Sequence, residues 1–443
     1  MAADPHATVD QTAGAWMRTI LGPALPRHAE AAVNAALEDT RVVLVNGARQ
    51  SGKSTLVRLV AKGRDAEWRD LDTALTRQAA LEDPDGFVDQ PGPMVIDEVQ
   101  RAPDLLLSIK AQVDADPTPG RFLLTGSARV LGLRSLPDTL VGRMETIELW
   151  PFSQGEIDSA PDGFVDAVFT QGDLEAPSAY GGLRHSSTVS RAEYADRLVR
   201  GGFPEAVART NERRRRNFFN SYVGDLIARD VQQLSEIERT TEMRALVQML
   251  AARSGQLLSI ATLSNELGLG AATVKKYVAL LEEVFLVKRI PAWSRNISSR
   301  ATTTPKLAFV DSGIAAHQIG ADARSILRPT GQFGPLLEGF VLMELARQLT
   351  WCEEEVALFH YRTRDQVEVD AVLENRRGDV VGIEVKAAST VGPNDFRGLR
   401  HLAQRIGDDF RAGIVMHTGP QTLSFGPKML AVPVSALWLT ATA

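Results

Sequence analysis

Arg41-Val-Val-Leu-Val-Asn46 runs directly into Gly47-Ala-Arg-Gln-Ser-Gly-Lys53-Ser54-Thr55. The first part is a short apolar, β-branched run of the kind found in buried parallel strands. The second fits GxxxxGK[ST] at every position, in the strand–loop–helix order that the pattern requires. Gly47 and Gly52 let the backbone curl, so that its N–H groups face phosphate oxygens, and the next helix adds its positive N-terminal end. The expected phosphate-binding set is therefore Gly47, Ala48, Arg49, Gln50, Ser51, Gly52, Lys53, Ser54 and Thr55. Lys53 would reach the β- and γ-phosphates, and the Ser54 hydroxyl would ligate Mg²⁺.

Working outward, similar apolar runs recur at Pro93-Met-Val-Ile-Asp97 and Arg121-Phe-Leu-Leu-Thr125, with helical stretches between them. Strands alternating with helices predict an α/β domain with a parallel sheet. The run Val95-Ile-Asp97-Glu98 is an apolar strand ending in two carboxylates. Asp97 can hold Mg²⁺ through water, and Glu98 can orient or deprotonate an attacking water, as nucleotide hydrolysis requires. Thr125-Gly-Ser127 closes the third strand. Ser127 is expected to sense the γ-phosphate or position the water. Arg143 is a candidate for stabilising transition-state charge, in its own subunit or a neighbour's, and the latter role needs at least a dimer.

The chain has 443 residues, room for about two to four domains. Apolar residues make up 44% and charged residues 23%, which excludes a disordered or fibrous protein. The net charge of −6 means that any nucleic-acid binding must come from local basic patches. A single cysteine, Cys352, excludes an internal disulfide and a cysteine-cluster zinc site. The N-terminus has no basic start followed by an apolar core, and no apolar run approaches the roughly 20 residues of a membrane helix. The expectation is a soluble cytoplasmic protein with no membrane partner.

Residues 1–25 read as a lead-in, and an Ala-rich helical pattern runs from Pro26 to Leu37. Residues 154–192, rich in Gly, Ser, Asp and Pro, read as a long surface insertion. A helical stretch follows to about Leu250 and contains Arg213-Arg-Arg-Arg216, either a phosphate contact or a solvated face. Leu258–Leu267, the turn Gly268-Leu-Gly270, Ala271–Glu282 and the strand-like Phe285–Ile290 resemble a winged helix-turn-helix. Thr273, Lys275 and Lys276 would read DNA, with Lys288 and Arg289 on phosphates. The other reading is a packing module.

From about Lys306 a second α/β unit begins. In the helix around Leu336–Leu345, Glu338 and Glu344 fall between apolar neighbours and need a partner or a metal. In Gln366-Val-Glu-Val-Asp-Ala-Val-Leu373, Glu368 and Asp370 share one strand face. Val380-Val-Gly-Ile-Glu384-Val-Lys386 places Glu384 and Lys386 together on the next strand. His360, Arg362 and Arg364 lie just upstream, as phosphate contacts or solvated surface. The expected divisions are 1–25, 26–205, 206–295 and 296–443.

Gly47–Leu56, Leu71-Asp72, Ile96-Asp-Glu-Val-Gln100, Leu124-Thr-Gly-Ser127, Gly142-Arg143, Pro151-Phe-Ser153 and Gly201-Gly-Phe-Pro204 occur in this order. The set resembles a widespread family of prokaryotic AAA-type ATPases carrying a C-terminal domain of unknown function, and the resemblance covers about residues 26–440. It implies an AAA-type parallel sheet with a helical lid, and ATP as the nucleotide. Asp370 followed by Glu384-x-Lys386, in α-β-β-β-α-β order, resembles the PD-(D/E)xK core of restriction-endonuclease-like nucleases. That resemblance implies Asp370 and Glu384 as ligands to Mg²⁺ or Mn²⁺, with Glu338 added. Lys386 would lower the nucleophile's pKa or stabilise the pentavalent charge. Two readings stand at this point. One is an ATPase gating cleavage of DNA or RNA. The other is an ATP-controlled binding switch, of defence or toxin–antitoxin type, whose silent nuclease-like domain docks on nucleic acid or a protein.

Overall fold

The computed structural model describes residues 18–19, 22–127, 140–170, 183–231 and 240–441. Most of the expected lead-in, 1–25, lies outside them. The chain divides into two compact units: residues up to Phe152 with Phe203–Phe218, and Ser153–Gly202 with Phe219 onward.

The first unit is built on five parallel strands: β1 (Val42–Gly47), β2 (Glu67–Asp70), β3 (Met94–Asp97), β4 (Phe122–Gly126) and β5 (Met144–Leu149). Their order is β2-β3-β4-β1-β5. Residues of β1, β3 and β4 are buried on both faces, which explains their unbroken apolar runs. Val43, Val45 and Leu123 pack on one face with Val33 of α1 (Ala29–Asp39) and Leu56 and Val57 of α2 (Lys53–Ala61). Leu44, Ile96 and Leu124 pack on the other with Leu105 and Ile109 of α3 (Leu105–Ala115). The two flanking strands, β2 and β5, were not legible in the sequence. Both are partly exposed, and their polar residues mask the apolar run. Because every strand points the same way, the C-terminal ends of β1, β3 and β4 meet at one edge, where open α/β sheets bind ligands.

The expected surface insertion is corrected. In α4 (Phe164–Thr170), Phe164, Val165, Ala167, Val168 and Phe169 are buried, and the segment packs within the second unit. Its polar residues misled because several serve as internal caps. The Ser153 hydroxyl donates to Asp162 at 2.5 Å and accepts from the Glu156 amide, while Asp166 accepts from the Glu353 amide at 2.9 Å. The first compact unit thus breaks at Phe152 and resumes at Phe203, rather than running unbroken to 205.

In the second unit, α5 (Ile260–Leu267) ends on Gly268 in the left-handed region (φ 64°) and is followed by α6 (Ala271–Glu283). β6 (Val287–Ile290) pairs antiparallel with β7 (Lys306–Phe309). Then come α7 (Ser312–Gln318), α8 (Phe333–Gln348), β8 (Val356–Arg362), β9 (Glu368–Asn375), β10 (Val380–Lys386), α9 (Arg397–Ile406), β11 (Phe410–His417), β12 (Leu423–Ser424) and β13 (Met429–Pro433). The sheet order is β8-β9-β10-β11-β13-β12. β8, β9 and β10 are antiparallel; β10, β11 and β13 are parallel. Leu399 and Leu402 of α9 pack with Val369, Val372 and Val415. Among the described residues no helix is long and apolar enough to cross a membrane.

Candidate functional site

β1 delivers the chain to the loop 48–52, and α2 begins at Lys53. Gly52 takes φ +99°, a left-handed conformation that opens the helix N-terminus. Gly47 is needed for a different reason. A Cβ there would lie 2.1 Å from the Leu149 carbonyl oxygen of the neighbouring strand. Ala48 and Ser51 are buried, Arg49 is half-buried, Gln50 is exposed, and Thr55 lies in the first turn of α2. Lys53 is buried and its Nζ donates to the carbonyls of Gly47 (3.1 Å) and Ala48 (2.8 Å), so the ammonium lies across the loop. Arg27, which the sequence did not single out, clamps the loop. Its guanidinium donates to the Ser51 and Trp150 carbonyls at 2.8 and 2.7 Å.

Ser54 Oγ donates to Asp97 Oδ1 at 3.0 Å, and Thr125 Oγ1 bonds the same carboxylate oxygen. Burial pushes the Asp97 carboxyl above its usual range, against the lowering effect of these two hydroxyls. A hydroxyl and a carboxylate side by side at the loop are hard oxygen donors that suit Mg²⁺. Glu98 follows in the left-handed region (φ 62°), its amide donating to Thr125 Oγ1 at 2.9 Å. Gln100 was quoted in the sequence pattern without a role. Its Nε2 bonds both Glu98 Oε2 and Ser127 Oγ, the latter at 2.8 Å. Glu98 and Ser127 are thus joined through Gln100.

Arg143 is placed elsewhere, which removes its role in its own subunit. Its carbonyl accepts from the Val42 amide at the start of β1, whereas the phosphate loop begins at the end of that strand. Five residues of strand, about 17 Å, separate the two. Its guanidinium is taken up by Asp114.

In the second unit, Ala371 pairs with Ile383 across β9 and β10, which brings Asp370 and Glu384 together one residue further on. Asp370 Oδ2 accepts from the Val385 amide at 2.9 Å. Glu338 comes from α8. Lys386, partly exposed, has its Nζ 3.9 Å from Glu384 Oε2. These residues line a cleft of about 670 Å³ with Glu368 and Arg397.

The sequence missed a buried group that contacts two of these carboxylates. Lys306 on β7 is 2% exposed, and its Nζ lies 2.5 Å from Glu338 Oε1, 2.9 Å from Asp370 Oδ1 and 3.9 Å from Glu368 Oε1. Burial works against its charge, but Asp370 and Glu338 overcome it and hold the ammonium above its usual pKa. Burial and the neighbouring Asp370 raise the Glu384 carboxyl, which shares a hydrogen bond with Asp370. A signal existed: a lysine inside Lys306-Leu-Ala-Phe309, whose four residues are all buried, demands acidic partners.

The expected metal set Glu338, Asp370 and Glu384 is therefore corrected. Glu338 and Asp370 converge on an ammonium, and Glu384 is hydrogen-bonded to Asp370. Among the described residues no group of three or more His, Cys, Asp or Glu side chains could hold a metal ion. Glu344 found a partner too, in Arg347 (2.8 Å) and the Gln154 amide (3.0 Å). His360 is fully buried, with Nε2 3.0 Å from the Thr304 carbonyl, so it is no phosphate contact. Arg362 approaches Glu368 at 3.6 Å, and Arg364 is exposed. Arg213, Arg214 and Arg216 are exposed. Lys275 and Lys276 are exposed on α6, with Thr273 half-buried near its start; Lys288 is half-buried, and Arg289 is ion-paired with Glu282 at 2.5 Å.

With this geometry established, comparison with known proteins divides the chain in three. Residues 39–158 match the model of the AAA domain family. The parallel sheet of this segment resembles the P-loop ATPase fold. Residues 191–325 and 333–437 match two domains of unknown function, DUF8612 and DUF4143. An uncharacterized protein of Mycobacterium tuberculosis is 29% identical over 418 residues, covering 94% of this chain and 85% of that protein. One from Haemophilus influenzae is 24% identical over 232 residues, 51% of each chain. Among solved structures, a Walker-type ATPase of Pyrococcus abyssi is 14% identical, with 67% of this chain and 96% of that one covered and a TM-score of 0.39. A RuvB variant of Thermotoga maritima is 19% identical, with 59% and 86% covered and a TM-score of 0.27.

Proposed function

We propose that the protein binds and hydrolyses ATP in the first unit, and that its nucleotide state governs what the second unit binds. The observation that carries the first half is one edge of a parallel sheet that gathers the loop 47–55, the Ser54–Asp97 contact and the Glu98–Gln100–Ser127 line. The AAA domain match over 39–158 supports it independently.

Each residue then has a task. The loop amides and Lys53 hold the phosphates. Ser54 and Asp97 would hold Mg²⁺, which would offset the phosphates' negative charge. Glu98 orients or deprotonates the attacking water, and Ser127 positions it. Lys53→Ala should abolish nucleotide binding, measured by fluorescent-nucleotide titration. Glu98→Gln should bind normally and stop turnover. Normal ATP binding by Lys53→Ala would refute the loop's assignment.

Of the two readings for the second unit, Lys306 favours the binding switch over the nuclease. Metal-dependent cleavage needs carboxylates available to a cation, and here Glu338 and Asp370 are engaged by a lysine. The partner is nucleic acid, through the exposed Lys275 and Lys276 of a winged-helix arrangement, or a protein. Gel-shift titration with DNA and RNA, with and without ATP, separates these. Lys275→Glu with Lys276→Glu should abolish a nucleic-acid shift and leave a protein partner's binding intact.

A further inference from the structure

We propose that Lys306 is a built-in cation: it takes the place of a divalent ion beside Glu338 and Asp370, to which Glu384 is hydrogen-bonded, and denies these carboxylates to such an ion. This deepens the binding-switch reading and rests on it for the cleft's being a working site.

The geometry leaves little freedom. Lys306 lies on β7, which pairs with β6, and the backbone around it is pinned on the other side. The Leu307 amide donates to the Gln256 carbonyl at 3.0 Å, the Leu307 carbonyl accepts from the Gly255 amide at 2.8 Å, and the Pro305 carbonyl accepts from the Leu258 amide at 2.9 Å. The backbone that carries the ammonium is therefore held on both sides. A divalent ion entering the cluster would leave that ammonium buried without a carboxylate, the costly half of a broken ion pair. Both oxygens of Asp370 and one of Glu338 are also engaged. Asp370 offers one to Lys306 and the other to the Val385 amide, and Glu338 offers one to Lys306 at 2.5 Å.

Lys386 does not share this task. It stands at the mouth of the cleft, 3.9 Å from Glu384 and far more exposed than Lys306. The cluster thus contains one lysine that seals it and one that faces outward, available to an anion entering the cleft.

The test is a Mn²⁺ titration of the full chain followed by electron paramagnetic resonance, without nucleotide and in a Ser54→Ala background, so that the first unit contributes no ion. The parent should show no saturable site. Lys306→Met should gain a single bound Mn²⁺ per chain, lost again when Asp370→Asn is added. Lys306→Gln repeats the test should the methionine variant not fold by circular dichroism. Saturable Mn²⁺ binding by the parent, removed by Asp370→Asn, would overturn the proposal. So would a folded Lys306 variant that gains no ion. ATP hydrolysis by the chain with Ser54 intact is measured alongside. Its absence would count against the first unit's assignment and leave the Lys306 result standing.

Discussion

Glu98 adopts a backbone conformation that costs a non-glycine residue about 1 kcal/mol. Its amide is held by Thr125 and its carboxylate by Gln100. Gln100 is therefore a positioning residue. Gln100→Ala should lower kcat by about tenfold to a hundredfold with little change in KM, because the base stays present but loses its orientation. Steady-state kinetics decide this, and an effect on KM alone would refute it. A second prediction concerns acid. Burial and the nearby Lys306 push the His360 ring down to about 4, from an ordinary value of 6.5. The folded ring stays neutral while the unfolded chain takes up a proton near 6.5. The stability tied to neutral His360 is thus fully present above that pH and is lost as pH falls toward 4, by up to about 3 kcal/mol. Urea unfolding between pH 7 and 4 should show this slope, and His360→Gln should flatten it.

At the scale of elements, Gly47 joins strand to phosphate loop where the Leu149 carbonyl leaves no room for a side chain. Gly47→Ala should cost about 2–3 kcal/mol by overpacking against backbone. It should also weaken ATP binding, since the loop starts there; an unchanged thermal midpoint would refute the clash. The sequence made this element legible because buried parallel strands are uniformly apolar and the glycine–lysine spacing is specific. The same logic failed at β2 and β5, where Glu67-Trp-Arg-Asp70 and Met144–Leu149 are partly exposed and carry too many polar residues to read as sheet. It failed again at 154–170, where buried Gln154, Asp162 and Asp166 looked like a solvated loop. In the second unit, alternation in Glu368–Leu373 correctly placed Asp370 on the face opposite Val369 and Ala371. What alternation cannot supply is a partner from a strand 64 residues away, and Lys306 is such a partner.

For the whole molecule, each compact unit has its own apolar core. Denaturant unfolding should therefore show two transitions rather than one. ATP with Mg²⁺ should raise only one of them, by mass action on the unit that binds it. Lys53→Ala should remove that shift and leave the other transition unchanged. A single transition, shifted as a whole, would refute independent cores.

Because the five strands of the first unit run in one direction, its chemistry is confined to one edge of the sheet. The opposite edge, where Arg143 meets Asp114 at the surface, is consequently a place to attach things. A dye or a surface tether fixed there through an introduced cysteine stands about 17 Å of strand away from the phosphate loop. The half-buried thiol of Cys352, pushed up to about 12, would compete poorly for the label. The protein thus comes with a convenient handle for watching individual molecules turn over.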